Sequence, residues 1–114
     1  MKYLATMVSI AVVAAAWGTD DGLTTRGRKF AELVCSPCHV VSPDTDETPI
    51  LRQPGPSFAA IAARPSTTDA TLRAFLQTSH PDIGPAARMP NPRLADYEID
   101  EVVAYILSLG PARR

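Results

Sequence analysis

Apolar positions along this chain form one continuous run followed by four helical stripes. Met1 to Gly18 is almost unbroken in apolar and small residues. From Thr24 the spacing changes. Phe30, Leu33 and Val34 stand at i, i+3 and i+4, the repeat that aligns one face of a helix. Thr24 or Thr25 can cap its start. Val40 to Pro56 is a loop, acidic and turn-rich through Ser42-Pro43-Asp44-Thr45-Asp46-Glu47-Thr48-Pro49. Gly55-Pro56-Ser57 opens a short helix with Phe58, Ile61 and Ala62 on one face. Pro65 and the Ser66-Thr67-Thr68 cluster end it and start another, carrying Leu72, Phe75 and Leu76. Pro81 to Pro92 is an irregular loop. The last stripe is the clearest: Ile99, Val102, Val103, Ile106 and Leu107 follow i, i+3, i+4, i+7 and i+8. Asp96, Glu98, Asp100 and Glu101 load its first turns with the negative charge a helix N-terminus favours, and Gly110-Pro111 stop it. No stretch alternates as a strand would, and nothing repeats. The pattern predicts an all-α protein.

The apolar N-terminus has its own logic. Lys2 precedes the apolar run, and small residues close it at Ala14-Ala15-Ala16 and Ala16-Trp17-Gly18. Positive, apolar, small is the order of a secretory signal peptide. Residues 1–18 are therefore expected to be a signal cut near positions 16–18, with one domain over 19–114. The alternative is an uncleaved anchor, but the run is short for a span of about 20 apolar residues. The chain would then touch a membrane only if this segment stayed attached.

Cleavage alters the composition. The 114 residues are 46% hydrophobic with a net charge of −1, which excludes a disordered tail or a basic nucleic-acid binder. Thirteen of residues 1–16 belong to that hydrophobic set. Cutting after Ala16 leaves 98 residues with charge −2, only 6% of the full chain is aromatic, and eleven prolines interrupt it. So small a core needs outside help.

Cys35-Ser36-Pro37-Cys38-His39 supplies a candidate. A disulfide across two residues closes too short a loop to staple a domain. A thioredoxin-like pair wants a βαβ setting that is missing here. Structural zinc wants four ligands, and Cys38 and His39 are awkwardly adjacent. Cys-x-x-Cys-His is instead the attachment signature of a c-type haem. On a helical turn, two thiols with that spacing reach both porphyrin vinyl groups. The next residue then offers its imidazole to the iron.

A second axial ligand comes from a short set of candidates. Once the signal is gone Met89 is the only methionine, and His80 is the only other histidine. Met89 sits in Ala87-Arg88-Met89-Pro90-Asn91-Pro92, with no apolar periodicity to make it core filler. His80 precedes Pro81 at a helix end, where capping or surface roles are common. Met89 is the expected ligand and His80 the alternative.

With these residues in place, the chain from about Gly27 to Leu109 resembles the monohaem class I c-type cytochromes of the bacterial periplasm. The resemblance implies a small all-α fold of three to five helices around one haem c held through Cys35 and Cys38. It places Gly27, eight residues before the first Cys, at a crossing with the last helix beside Tyr105. It makes Gly55-Pro56 the pair whose proline carbonyl receives the hydrogen bond of the ligating His39, so Pro56 belongs to the cofactor site. Met89-Pro90 ahead of an acidic-start helix matches the family's methionine segment. The chain departs from the pattern at Ala31, where an aromatic is common, and at Ala95, which cannot cap as Ser or Thr would. The family's propionate tryptophan has no counterpart. Arg52, Arg64, Arg88 and Arg93 are propionate candidates by charge alone.

The function implied is periplasmic electron transfer, the iron alternating between ferric and ferrous with His39 and Met89 as metal ligands. Its partners would be redox proteins (a dehydrogenase, oxidase or reductase), with no nucleic acid and no small-molecule substrate. Two alternatives share the motif. One is a tightly bound electron-accepting subunit of a periplasmic dehydrogenase. The other is a catalytic or gas-binding haem protein, which would require Met89 to be labile.

Overall fold

A computed structural model describes residues 20–78 and 89–111. The expected signal segment, His80 and Arg88 lie outside the described residues. Four helices follow in order: α1 (Asp20–Val34), α2 (Phe58–Ala63), α3 (Asp69–Gln77) and α4 (Asp96–Ser108). Among the described residues there is no strand. No helix there is long and apolar enough to cross a membrane.

Helix α4 is the shared partner, with α1, α2 and α3 each packed against it. Ile99, Val102, Val103, Tyr105 and Ile106 are its buried residues. They meet Ala31, Val41, Phe58, Ala62, Leu72 and Leu76 in one core. Arg26 of α1 pairs with Glu101 of α4 at 2.8 Å. Arg73 of α3 joins Asp69 on its own helix to Asp100 on α4.

The α1 stripe read from hydrophobicity is not the face that packs. Leu33 is 81% exposed, whereas Ala31 is fully buried and Phe30 only flanks the core. The reason is proximity. A Cβ built on Gly27 would stand 1.9 Å from the Glu101 carbonyl oxygen and 2.8 Å from Tyr105 Cβ. Helices that close admit only small residues at the contact, so size selects the face. The alanine that departs from the family's aromatic is one of the two residues that permit the crossing. Helix α1 also begins at Asp20, before the threonines expected to cap it. No proline interrupts the polar segment ahead of Thr24, and the helix runs through it.

Capping explains the other starts. Ser57 Oγ accepts from the Ala60 amide at 3.1 Å and opens α2. Thr68 and Thr71 cap α3 reciprocally: Thr68 Oγ1 accepts from Thr71 N at 3.1 Å, and Thr71 Oγ1 accepts from Thr68 N at 2.8 Å. Ala95 makes no side-chain cap at α4. Only the returning half of a capping box is present, with Glu98 Oε1 accepting the Ala95 amide at 3.0 Å. In α3, Leu72 and Leu76 are buried, while Phe75 lies at the edge. Gly110 does not end α4 through a left-handed turn, since none of the described glycines has positive φ. Its role is close approach, because a Cβ there would lie 3.0 Å from the Ala62 carbonyl oxygen.

Candidate functional site

The cysteine motif continues α1 as helical turns. Cys35 N donates to Ala31 O at 2.8 Å, and His39 N to Cys35 O at 2.9 Å. Ser36 Oγ adds a bond to Glu32 O at 2.6 Å. Cys35 and Cys38 therefore rise from one turn, and they are not joined to each other. Cys35 touches the core, while Cys38 is exposed. Burial, with Cys38 nearby as a smaller contribution, pushes the Cys35 thiol up to about 11.

The loop after the motif folds back onto it. Ile50 N and Leu51 N both donate to Pro37 O, at 3.0 and 3.2 Å, and Gly55 N donates to Cys38 O at 2.8 Å. Phe58 N then donates to Val40 O at 2.9 Å. These bonds deliver Gly55, Pro56 and Phe58 to His39. Its Nδ1 lies 2.7 Å from Pro56 O. A carbonyl oxygen only accepts, so Nδ1 is the donor, and in the neutral imidazole this leaves the lone pair on Nε2. That is the tautomer a metal ligand requires. Gly55 backs the ring so closely that a Cβ there would lie 2.5 Å from His39 Cε1. The Phe58 ring stands 5.5 Å away, tilted at 51°, and reaches on to Tyr105 at 6.3 Å. Tyr105 donates its hydroxyl to Val41 O at 2.6 Å, closing the frame two residues beyond His39.

Met89 packs, half-buried, against the core that Cys35 also touches. The next residues turn sharply. Arg93 has φ 52°, the left-handed region. Asn91 Oδ1 accepts the Arg93 amide at 2.8 Å, and Asn91 Nδ2 donates to Gln77 O at 3.3 Å. Arg52, Arg64 and Arg93, the charge-based propionate candidates within the described residues, are all exposed.

Two thiols on one turn and an imidazole bonded through Nδ1, with the Gly55 backbone against its ring, fit the covalent attachment of a haem. The structure brings Cys35, Cys38, His39 and Pro56 into one hydrogen-bonded group, and Met89 reaches the same core from a distant segment. Sequence reasoning did not assign a site role to Phe58 or Asn91. Phe58 was legible as a core residue but not as a neighbour of His39. Asn91 between two prolines carried a turn signal, but its partner Gln77 is fourteen residues away.

The sequence model of a family described as cytochrome c matches residues 24–110. Among curated proteins, the chain is 32% identical over 103 residues to cytochrome c-552 of Bradyrhizobium diazoefficiens, covering 88% of this chain and 90% of that protein. No solved structure gives a significant match.

Proposed function

The chain belongs to the cytochrome c family, which carries covalently bound haem c, and from that premise we propose a periplasmic electron-transfer protein with His39 and Met89 as axial ligands. The bound group supplies one-electron exchange between ferric and ferrous iron. The chain's residues hold it, orient it and set its surroundings. The observation that carries the reading is the 2.7 Å contact between His39 Nδ1 and Pro56 O. It selects the neutral tautomer whose free lone pair is on Nε2, the form a metal ligand needs. Cys35 and Cys38, on the turn that leads into His39, supply the two thioether links. Met89 brings a soft thioether, whose donation favours the ferrous state relative to a second imidazole.

With His39 and Met89 both engaged as ligands, the site would offer electron exchange with another protein and no position for a substrate. Leu33 and Ile50 are strongly exposed near the motif. They support a small, weak docking face suited to rapid turnover of redox partners. The N-terminal signal pattern supports export.

The test is Met89→Ala. Ferric wild-type protein should show the red charge-transfer band of Met-ligated haem, and the variant should lose it. A band that persists refutes Met89 as ligand. Fractionation with N-terminal sequencing tests the location: the mature protein should be periplasmic and begin close after Ala16. A mature chain that still begins at Met1 would refute the cleaved signal.

A further inference from the structure

The segment carrying Met89 is followed by a conformation that does not hold itself. Arg93 sits at φ 52°, the left-handed region that crowds a residue with a Cβ. Glycine is the usual occupant, so something must keep arginine there. Asn91 makes the two bonds that do so. Its Oδ1 accepts the Arg93 amide at 2.8 Å, closing an Asx turn around Pro92. Its Nδ2 donates to the Gln77 carbonyl at 3.3 Å, one of the last α3 carbonyls that helix geometry leaves without an intrahelical donor. The two contacts demand the same amide orientation, since an amide nitrogen cannot accept from Arg93 and an amide oxygen cannot donate to Gln77. Pro90 and Pro92 on either side restrict φ, so the turn has few alternatives once Asn91 is engaged.

We propose that Asn91 is a positioning residue, clamping the Met89 segment to the end of α3 and so setting how readily an external ligand displaces Met89. The inference rests on the assignment of Met89 as ligand and extends it. Met89 and Asn91 are separated only by Pro90, so a shift of Asn91 away from Gln77 is passed to the methionine with little slack. Without the clamp Arg93 relaxes towards negative φ, and the chain path on either side of Pro92 changes with it.

The experiment titrates the ferric holoprotein with imidazole and follows loss of the red charge-transfer band. It compares wild type, Asn91→Ala, Asn91→Asp, Met89→Ala and Thr68→Ala. Asn91→Ala should keep the band without imidazole but lose it at roughly ten-fold lower imidazole, equivalent to about 1.4 kcal/mol. Asn91→Asp keeps an oxygen for Arg93 N and loses the donor to Gln77 O, so it should fall between wild type and Asn91→Ala. Thr68→Ala removes the α3 cap and lowers general stability, and its imidazole affinity should match wild type. If Asn91→Ala and Asn91→Asp bind imidazole as wild type does while Met89→Ala lacks the band, the clamp is refuted and the ligand assignment stands. If Met89→Ala keeps the band, the ligand assignment falls and takes the clamp with it. If Thr68→Ala shifts the titration as far as Asn91→Ala, the effect is general stability and the positioning role is refuted.

Discussion

Replacing Gly27 with alanine should destabilise the holoprotein by about 2–3 kcal/mol, against the usual direction for this substitution in a helix. In an unobstructed helix interior, glycine to alanine is favourable by about 1 kcal/mol. At Gly27 the added carbon would lie 1.9 Å from Glu101 O, 2.6 Å from Glu101 C and 2.8 Å from Tyr105 Cβ. Ordinary contact lies near 3.5 Å, so the helices would have to part by roughly 1.5 Å along that direction. The obstacle is α4 backbone, which cannot rotate aside as a long side chain would. A gap of about 0.5–1 Å already forfeits a quarter to a half of the attraction between the atoms lining it. Here the lining includes Ala31, Val102, Val103 and Tyr105, all buried. Overpacking commonly costs about 1–3 kcal/mol and sometimes more. A backbone collision belongs at or just above the top of that range, and the propensity gain offsets about 1 kcal/mol.

Gly22 provides the control within the same helix. A Cβ there would meet only Arg26 Nη1 at 3.4 Å, an ordinary contact with a movable group. Gly22→Ala should therefore stabilise, by up to about 1 kcal/mol. Guanidinium unfolding of both oxidised variants, followed by far-UV circular dichroism, reads the two signs side by side. The covalent links prevent haem dissociation from distorting the transition. In a domain of this size the Gly27 variant should melt roughly 10–20 °C below wild type. A Gly27→Ala protein as stable as wild type would refute the close crossing of α1 and α4.

Three further outcomes follow from named contacts. Tyr105→Phe removes the 2.6 Å donor to Val41 O and leaves a buried carbonyl unpaired, so unfolding should become easier by about 1–3 kcal/mol with the red band unchanged. Gly55→Ala puts a carbon 2.5 Å from His39 Cε1, so the ring must turn from Pro56; haem staining per mole of protein should fall, or the midpoint potential of the protein that does mature should move. The Asp44 carboxyl is held below its ordinary value chiefly by the Ser42 hydroxyl, with its own backbone and Arg28 assisting. A depressed carboxylate stabilises the fold fully above its unfolded pKa of about 3.9, and that contribution fades as pH falls through the lower folded value. Asp44→Asn should therefore flatten the stability–pH curve below about pH 4 and leave its shape near neutrality unchanged, as acid titration of the unfolding midpoint would read.

How much of this was legible in the sequence depended on the range over which each feature acts. The cysteine motif needs a single helical turn, and five consecutive residues declare it. The α4 stripe needs only its own 3.6-residue period: Ile99, Val102, Val103 and Ile106 are buried, and Leu107 packs partly buried against the core. Helix α1 failed the same test because its packing face is chosen by clearance: Gly27 and Ala31 go inward while Leu33 is left outside. Hydrophobic periodicity reads the affinity of a face for burial, not the space available to it. Resemblance to the family recovered Gly27 and Tyr105 where periodicity could not. The contacts of Phe58 with His39 and of Asn91 with Gln77 depend on where a returning chain lands, and neither residue announces its partner locally.

These contacts sort into two groups with different consequences. The α1–α4 crossing, the Arg26–Glu101 pair and the α3–α4 pair through Arg73 form a frame that touches His39 nowhere in the observed bonding. Gly55 and Pro56 press on the imidazole directly, and Asn91, two residues after Met89, bonds Gln77 and Arg93. A change in the frame should move the unfolding free energy and leave the haem spectrum as it is, while a change around His39 or Met89 should move spectrum and potential at modest cost in stability. Phe58 is the residue that belongs to both groups. Its ring lies 5.5 Å from His39 and 6.3 Å from Tyr105, and it is buried in the core. Shortening it to leucine would open space on the core side and free the tilt of the imidazole on the other. Stability and potential should then shift together at this position, although each can be moved alone elsewhere.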